Sequence, residues 1–210
     1  MFAKKIEVYR IFYGLIILFF NGIAQQSTVV EDVLKFQSAL NEKFASEEMS
    51  PLPSEDFENF KNLDFFKIDP SFSVQATFVR TPYETPFVMK TTTNREPIYV
   101  KYGEVHFQLE DKEYILNVYQ NQMLVTQEAY KDYLFLPYTD MTNGKTTYEG
   151  GRFIDLKIPE GNELILDFNK SYNPYCCYND RYSCPVPPVE NHLEIEIPVG
   201  VKKYLRSEEH

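Results

Sequence analysis

Residues 98–119 read IYVKYGEVHFQLEDKEYILNVY, and the pattern of this stretch decides the fold. Ile98 to Tyr102, Val105 to Leu109 and Tyr114 to Tyr119 each alternate apolar with polar side chains. Successive side chains of a strand point to opposite faces, so a period of two makes a ribbon with one face to bury. Glu110, Asp111 and Lys112 break the pattern just long enough for a tight turn, which predicts an antiparallel hairpin.

The same alternation extends outward from that hairpin. Phe72 to Val79 and Phe87 to Thr91 precede it. Leu134 to Tyr138, Phe153 to Ile158, Leu164 to Phe168 and Leu193 to Pro198 follow, with Asn143 and Gly144 marking a turn between two of them. About nine strands bounded by Pro, Gly, Asn and Asp predict a mainly β fold, an antiparallel β-sandwich or barrel. Residues 120–131 fit either a short strand and turn or a helical turn. Ahead of the strands the period changes. Val29, Val33, Phe36, Leu40 and Phe44 form one apolar stripe, which predicts an N-terminal α-helix over Ser27 to Phe44, packed on the body of the domain. Ser27 or Thr28 can cap it, and Glu31 and Asp32 suit the positive end of its dipole. Pro51 and Pro53 end that segment, and Glu55 to Leu63 has room for a further helical turn or two.

The first 24 residues have a different grammar. Lys4, Lys5 and Arg10 form a positive head, Ile11 to Phe20 an apolar core, and Gly22 and Ala24 supply small residues for a signal peptidase. This predicts a cleaved secretory signal peptide, cut near Ala24 and Gln25, and a periplasmic or secreted protein. The apolar run falls short of the roughly 20 residues that cross a bilayer, so no stable membrane span is expected after cleavage. The organisation expected is a signal peptide (1–24), a helix and loop (25–60), one β-rich domain (61–205) and a polar tail (206–210). The formal net charge of −10 repels phosphate backbones and anionic membrane surfaces, which argues against nucleic acid as a partner.

The run from Asp167 to Asn191, DFNKSYNPYCCYNDRYSCPVPPVEN, holds all three cysteines and is rich in Tyr, Pro and Asn. Linkers are flexible and polar, whereas this stretch is stiff and aromatic, so something orders it. Tyr148 to Leu156 (YEGGRFIDL), then DFNKSYNPYC from Asp167, then CPVPP from Cys184 with Glu190 and Asn191, resembles the bacterial domain-of-unknown-function family DUF1684. That family's pattern runs as a GGRF strand, a DFN-x-x-YNP-x-C segment and a CPLPPxEN segment. The resemblance covers roughly Lys61 to Val201, and Cys177 departs from it where Ala is usual. It implies a fold and a set of positions but no activity.

Within the run, Cys176 and Cys184 are spaced for a disulfide closing a small loop in an oxidising compartment. A metal site using Cys176, Cys177, Cys184 and His192 fits no standard ligand spacing, so no metal is expected. A catalytic cysteine would need a basic partner, and the region offers only Lys170, Arg181 and His192. No cofactor motif is present. The carboxylates Asp155, Asp167 and Glu190 are the candidates for acid–base chemistry. Asp167 is expected to accept hydrogen bonds from a turn or to pair with Arg152 or Arg181, and such Asp–Arg pairs fixing the loop are a stronger expectation than catalysis. Strand parity sends Ile154, Leu156 and Ile158 to one face and Phe153, Asp155 and Lys157 to the other, which is either solvent or a pocket wall. Gly150 and Gly151 precede no helix, so they read as a tight backbone approach rather than a phosphate loop. Binding residues are expected among Arg152, Asn169, Tyr172, Asn173, Tyr178, Arg181 and Asn191. Tyrosines pair an apolar face with a hydroxyl, which suits a small ligand, although the rings can equally pack the loop on the sheet. The leading expectation is an exported envelope protein whose ordered 169–191 loop binds a small molecule or an envelope protein. The alternative is a hydrolase-like enzyme with a carboxylate, Asn and Tyr site.

Overall fold

The hairpin of residues 98–119 sits at the centre of one curled sheet. The structure, a computed structural model, describes residues 28–205. Its strands are β1 (Ser73–Arg80), β2 (Phe87–Val88), β3 (Ile98–Leu109), β4 (Lys112–Asn121), β5 (Tyr133–Asp140), β6 (Arg152–Lys157), β7 (Glu163–Asp167) and β8 (His192–Leu193). The order across the sheet is β6-β5-β4-β3-β1-β7, with β2 beside β3 and β8 beside β5. The pairings are antiparallel except that of β8 with β5. The sheet curls into a half-barrel, with an N-terminal helix, so the mainly β reading holds. The signal-peptide segment and the polar tail lie outside the described residues. Among the described residues, no helix is long and apolar enough to cross a membrane.

The turn between β3 and β4 has Glu110 and Asp111 at φ of 49° and 61°. Two left-handed residues give a connection whose twist matches that of the flanking strands. Two of the predicted strands, Ile98 to Tyr102 and Val105 to Leu109, are one long strand with a register shift between Lys101 and Gly103. A Cβ at Gly103 would lie 2.6 Å from the ring of Phe78, so only a bare backbone passes there. The irregularity also inverts the parity of β3. Before it, Tyr99 faces an aromatic cluster with Tyr119, Phe135 and Phe153. After it, Val105, Phe107 and Leu109 face the main core.

That core lies inside the curl. Val105, Leu116, Leu134, Leu136 and Leu166 have no measurable exposure, and burying each such side chain contributes about 1.5–3 kcal/mol. The last predicted strand, Leu193 to Pro198, pairs only over β8. Beyond it Ile195 O still accepts the Met141 N–H at 3.0 Å, but several of the chain's polar groups go to side chains. The carbonyls of Ile197 and Val199 accept from Arg152, and the Ile197 N–H donates to Asp140. Residues 120–131 form two short 3-10 turns, Leu124–Thr126 and Glu128–Tyr130. The stripe on α1 (28–44) packs as its periodicity predicts. Val33 and Phe44 are buried, while Phe36 and Leu40 are half-buried. A second short helix, α2 (Ser54–Asn59), follows.

Candidate functional site

Strand parity places Phe135 of β5 and Phe153 of β6 on the face away from the main core, where they pack with Met89, Tyr99 and Tyr119. Helix α1 and residues 172–185 lean over this aromatic face and leave a cleft of about 340 Å³. Backbone bonds fix the loop there. Tyr172 N–H donates to Phe153 O at 3.0 Å, and Phe153 N–H donates to Tyr172 O at 2.9 Å.

Asp155 stands in the cleft, exposed, and pairs across the ladder with Phe135. Tyr133 Oη donates to its Oδ1 at 2.7 Å, and Tyr172 Oη donates to the same oxygen at 2.5 Å. Burial first, and the Asp155 charge second, push both phenols above the ordinary tyrosine value. They therefore stay protonated and act as donors at neutral pH. No protein donor among the described residues is seen at Asp155 Oδ2. Lys43 of α1 supplies a positive charge to the lining and lies 5.1 Å from the centre of the Tyr175 ring. A second hollow of about 450 Å³, bordered by Asp32, Ser73, Asp155, Asp167 and Lys170, opens between α1, β6 and β7.

The other predicted carboxylates are not beside the tyrosine pair. Asp167 caps the 3-10 turn Phe168–Lys170, accepting the Asn169 N–H at 3.0 Å. Burial raises its pKa, with the Asn169 bonds opposing. It shares only the second hollow with Asp155. Glu190 is exposed in the turn Val189–Asn191 and borders neither cavity.

The predicted binding residues divide between the cleft and the frame that holds it. Tyr172, Asn173 and Tyr178 line the cleft. Tyr178 is buried edge-on against Phe44, with ring centroids 4.8 Å apart, and Asn173 Nδ2 donates to Lys202 O at 2.9 Å. Arg152 is fully buried and bonds Asp140 Oδ2 at 2.9 Å. This corrects the expectation that it would pair with Asp167. Its even-numbered place on β6 turns it to the core side with Ile154, away from the loop. Arg181 is exposed, donating to Tyr182 Oη at 2.7 Å and lying over that ring. Asn169 clamps Asp69, accepting its N–H and donating to its O, both at 2.9 Å. Asn191 does the same for Asn117 and also donates to Pro137 O at 2.6 Å. It bridges β4 and β5 where their ladder is reduced to the pair Tyr119 and Phe135. At Gly151 φ is +86°, and a Cβ would meet Tyr138 O at 2.6 Å, so the tight-approach reading of the glycines holds.

The expected disulfide is not formed in the structure; Cys176 and Cys184 are both buried thiols. They are nevertheless neighbours, the Cys176 N–H donating to Cys184 Sγ at 3.2 Å. Without a covalent bond, the loop is held by strand-like docking. Thr92 N–H donates to Cys184 O at 2.9 Å, and Val186 N–H donates to Lys90 O at 2.8 Å. The hydrogen bond from Cys184 holds the Cys176 thiol below its usual range, with burial opposing; Cys184 is pushed up. Cys184 borders the cleft, while Cys177 packs with Phe44, Leu52 and Tyr178. Among the described residues, no group of His, Cys, Asp and Glu could hold a metal ion.

Sequence reasoning missed Tyr133, Tyr99, Phe135 and Lys43. Tyr133 and Phe135 share parity along β5, and that was the available signal. Their meeting with Asp155 depends on cross-strand register, and that of Tyr99 on the irregularity at Gly103. Neither is marked by a local motif.

The family model described as "Protein of unknown function (DUF1684)" matches residues 58–202. No curated protein matches the chain. Among solved structures, the solution NMR structure of an uncharacterized protein of Haloarcula marismortui is similar at 28% identity and a TM-score of 0.67. That alignment covers 85% of this chain and 96% of the other. With the three motifs in order on one half-barrel and the family model spanning most of the sequence, the chain belongs to the DUF1684 family.

Proposed function

We propose that this protein is an exported small-ligand-binding β domain whose ligand occupies the cleft between α1, the aromatic face of the sheet and the 172–185 segment. The observation that carries this reading is the convergence on Asp155. An exposed carboxylate sits in an aromatic-walled hollow, oriented by two phenols that come from different elements. Concave sites of about this size, apolar with a few placed polar groups, are the usual form of small-molecule sites. The stiffness of the loop supports the same reading, because a pre-ordered wall costs less entropy on binding than a mobile one. Export rests on the grammar of residues 1–24 and places the site in the periplasm or outside the cell.

The test of the site is a fragment screen by two-dimensional NMR on the purified chain. Hits should shift amides of residues 153–155 and 172–175 together, and Leu40→Trp, which adds bulk to the α1 wall, should abolish them. Hits that gather elsewhere, or that survive Leu40→Trp unchanged, would remove the cleft from consideration. The export part is tested separately, by sequencing the N-terminus of the secreted form, which should begin at Gln25. An intact N-terminus would overturn it.

A further inference from the structure

We propose that the cleft takes an organic cation, an ammonium or guanidinium group carried on an apolar body. This rests on the reading of the cleft as a ligand site. Among the described residues that line it, Asp155 is the only carboxylate. Both phenols that reach Asp155 donate to Oδ1. Their hydroxyl protons are thereby spent, and what this corner offers a ligand is the acceptor Oδ2 and a negative charge. A neutral polyol would ask for donors as well as acceptors there. An anion would meet like charge.

The walls favour the same class. Tyr99, Phe135, Phe153 and Tyr172 all line the cleft. Aromatic faces carry negative quadrupole potential and attract cations, most strongly where water is displaced. A carboxylate that neutralises the charge beside rings that accept the apolar substituents is the usual chemistry of amine and alkylammonium recognition. Among the described lining residues the one cation is Lys43, which is exposed and lies over the Tyr175 ring, while Arg95 and Arg181 approach the rim through Ser183 and Tyr182. The chain as a whole carries a formal net charge of −10, and such a field raises the local concentration of cations and their rate of arrival.

The experiment compares benzylamine with benzyl alcohol, its neutral near-isostere, by NMR titration of the purified chain at low and high salt. Benzylamine should saturate shifts at residues 153–155 and 172–175, at least tenfold more tightly than the alcohol. Its affinity should fall as salt rises, while that of the alcohol should not. Asp155→Asn should erase the tenfold preference, and Tyr133→Phe should reduce it. Circular dichroism of each variant establishes that it is folded, and the salt dependence of the unaltered chain decides the matter if a variant is not. Equal binding of both probes at these residues, with no salt dependence, overturns the cation assignment and leaves the cleft as a site. If neither probe shifts these residues, both readings fail.

Discussion

Tyr172 Oη donates to Asp155 Oδ1 at 2.5 Å, tying the proline-rich loop to β6 across the cleft. Tyr133 completes the arrangement from β5. One carboxylate oxygen thus joins three separate segments, and the cleft cannot keep its shape if any of them moves.

This has a consequence at alkaline pH. Both phenols are raised, by burial and then by the Asp155 charge. A phenol that ionises less readily folded than unfolded favours the unfolded state once the unfolded form begins to lose its proton. The unfolded value is about 10, so the stability these groups contribute is complete below that pH and declines above it. The melting temperature should fall as pH rises past about 10, and the double variant Tyr133→Phe with Tyr172→Phe should flatten that fall. Tyrosinate absorbance followed in parallel should appear together with unfolding. An unchanged alkaline slope in the double variant would contradict the geometry.

Arg152 and Asp140 form a fully buried ion pair. The guanidinium also donates to the carbonyls of Ile197 and Val199, and Asp140 Oδ1 accepts from Thr142 and Ile197. Removing one partner leaves the other charge buried and uncompensated, which costs about 3–5 kcal/mol. Arg152→Met should show a loss of that order in urea denaturation. Adding Asp140→Asn should recover part of it, because the stranded charge is then gone. A single variant within about 1 kcal/mol of the original would mean the pair is not the pin described here.

The regular parts of this molecule were legible because their signals are local. The alternation in residues 98–119 fixed the hairpin, and the positive φ at Glu110 and Asp111 is the turn that three polar residues announce. The stripe from Val29 to Phe44 fixed α1. The motif residues sit at tightly constrained places, and most are pins rather than contacts. Arg152, Asn169 and Asn191 satisfy backbone or buried charge at long range, and Asn191 reaches Asn117 and Pro137 from a distant part of the chain. The type of residue shows that a polar group must be satisfied, but not by whom. The cleft was half legible. Tyr172 and Asp155 were named as candidates, but parity alone left the Asp155 face open between solvent and pocket. Only the register of β5 against β6, together with the loop's bridge to Phe153, decides it.

Asn191 offers a direct measure of such pinning. Its side chain makes three hydrogen bonds, two to Asn117 and one to Pro137 O, where β4 and β5 have separated. Asn191→Ala leaves the buried Pro137 O without a partner, at about 1–3 kcal/mol, and weakens the half-buried Asn117 groups, where water can replace part of what is lost. A total loss of roughly 2–4 kcal/mol is expected, with faster amide exchange at Asn117. Asn191→Asp keeps the acceptor for the Asn117 N–H but removes both donors, so it should be nearly as damaging as Ala. If Asp were tolerated like Asn, the two donated bonds would not matter.

The cysteines allow a final prediction, because juxtaposition and reactivity coincide at one pair. Cys176 and Cys184 are in contact, and the hydrogen bond from Cys184 lowers the Cys176 thiol from its usual range. That direction favours the thiolate, and it is the thiolate that reacts. Treatment with diamide, which takes up two electrons and two protons, should join Cys176 to Cys184 and leave Cys177 as the remaining thiol. Thiol titration under denaturing conditions should then fall from the three cysteines of the sequence to a single reactive group. Closing so short a loop stabilises by roughly 2–3 kcal/mol in the chain-entropy model, so the oxidised chain should melt higher. Cys177→Ala should oxidise normally, since that side chain packs toward Phe44 and Leu52, whereas Cys176→Ala should not. Oxidation that consumes Cys177, or that lowers the melting temperature, would show that the two sulfurs cannot meet without disturbing the docked loop.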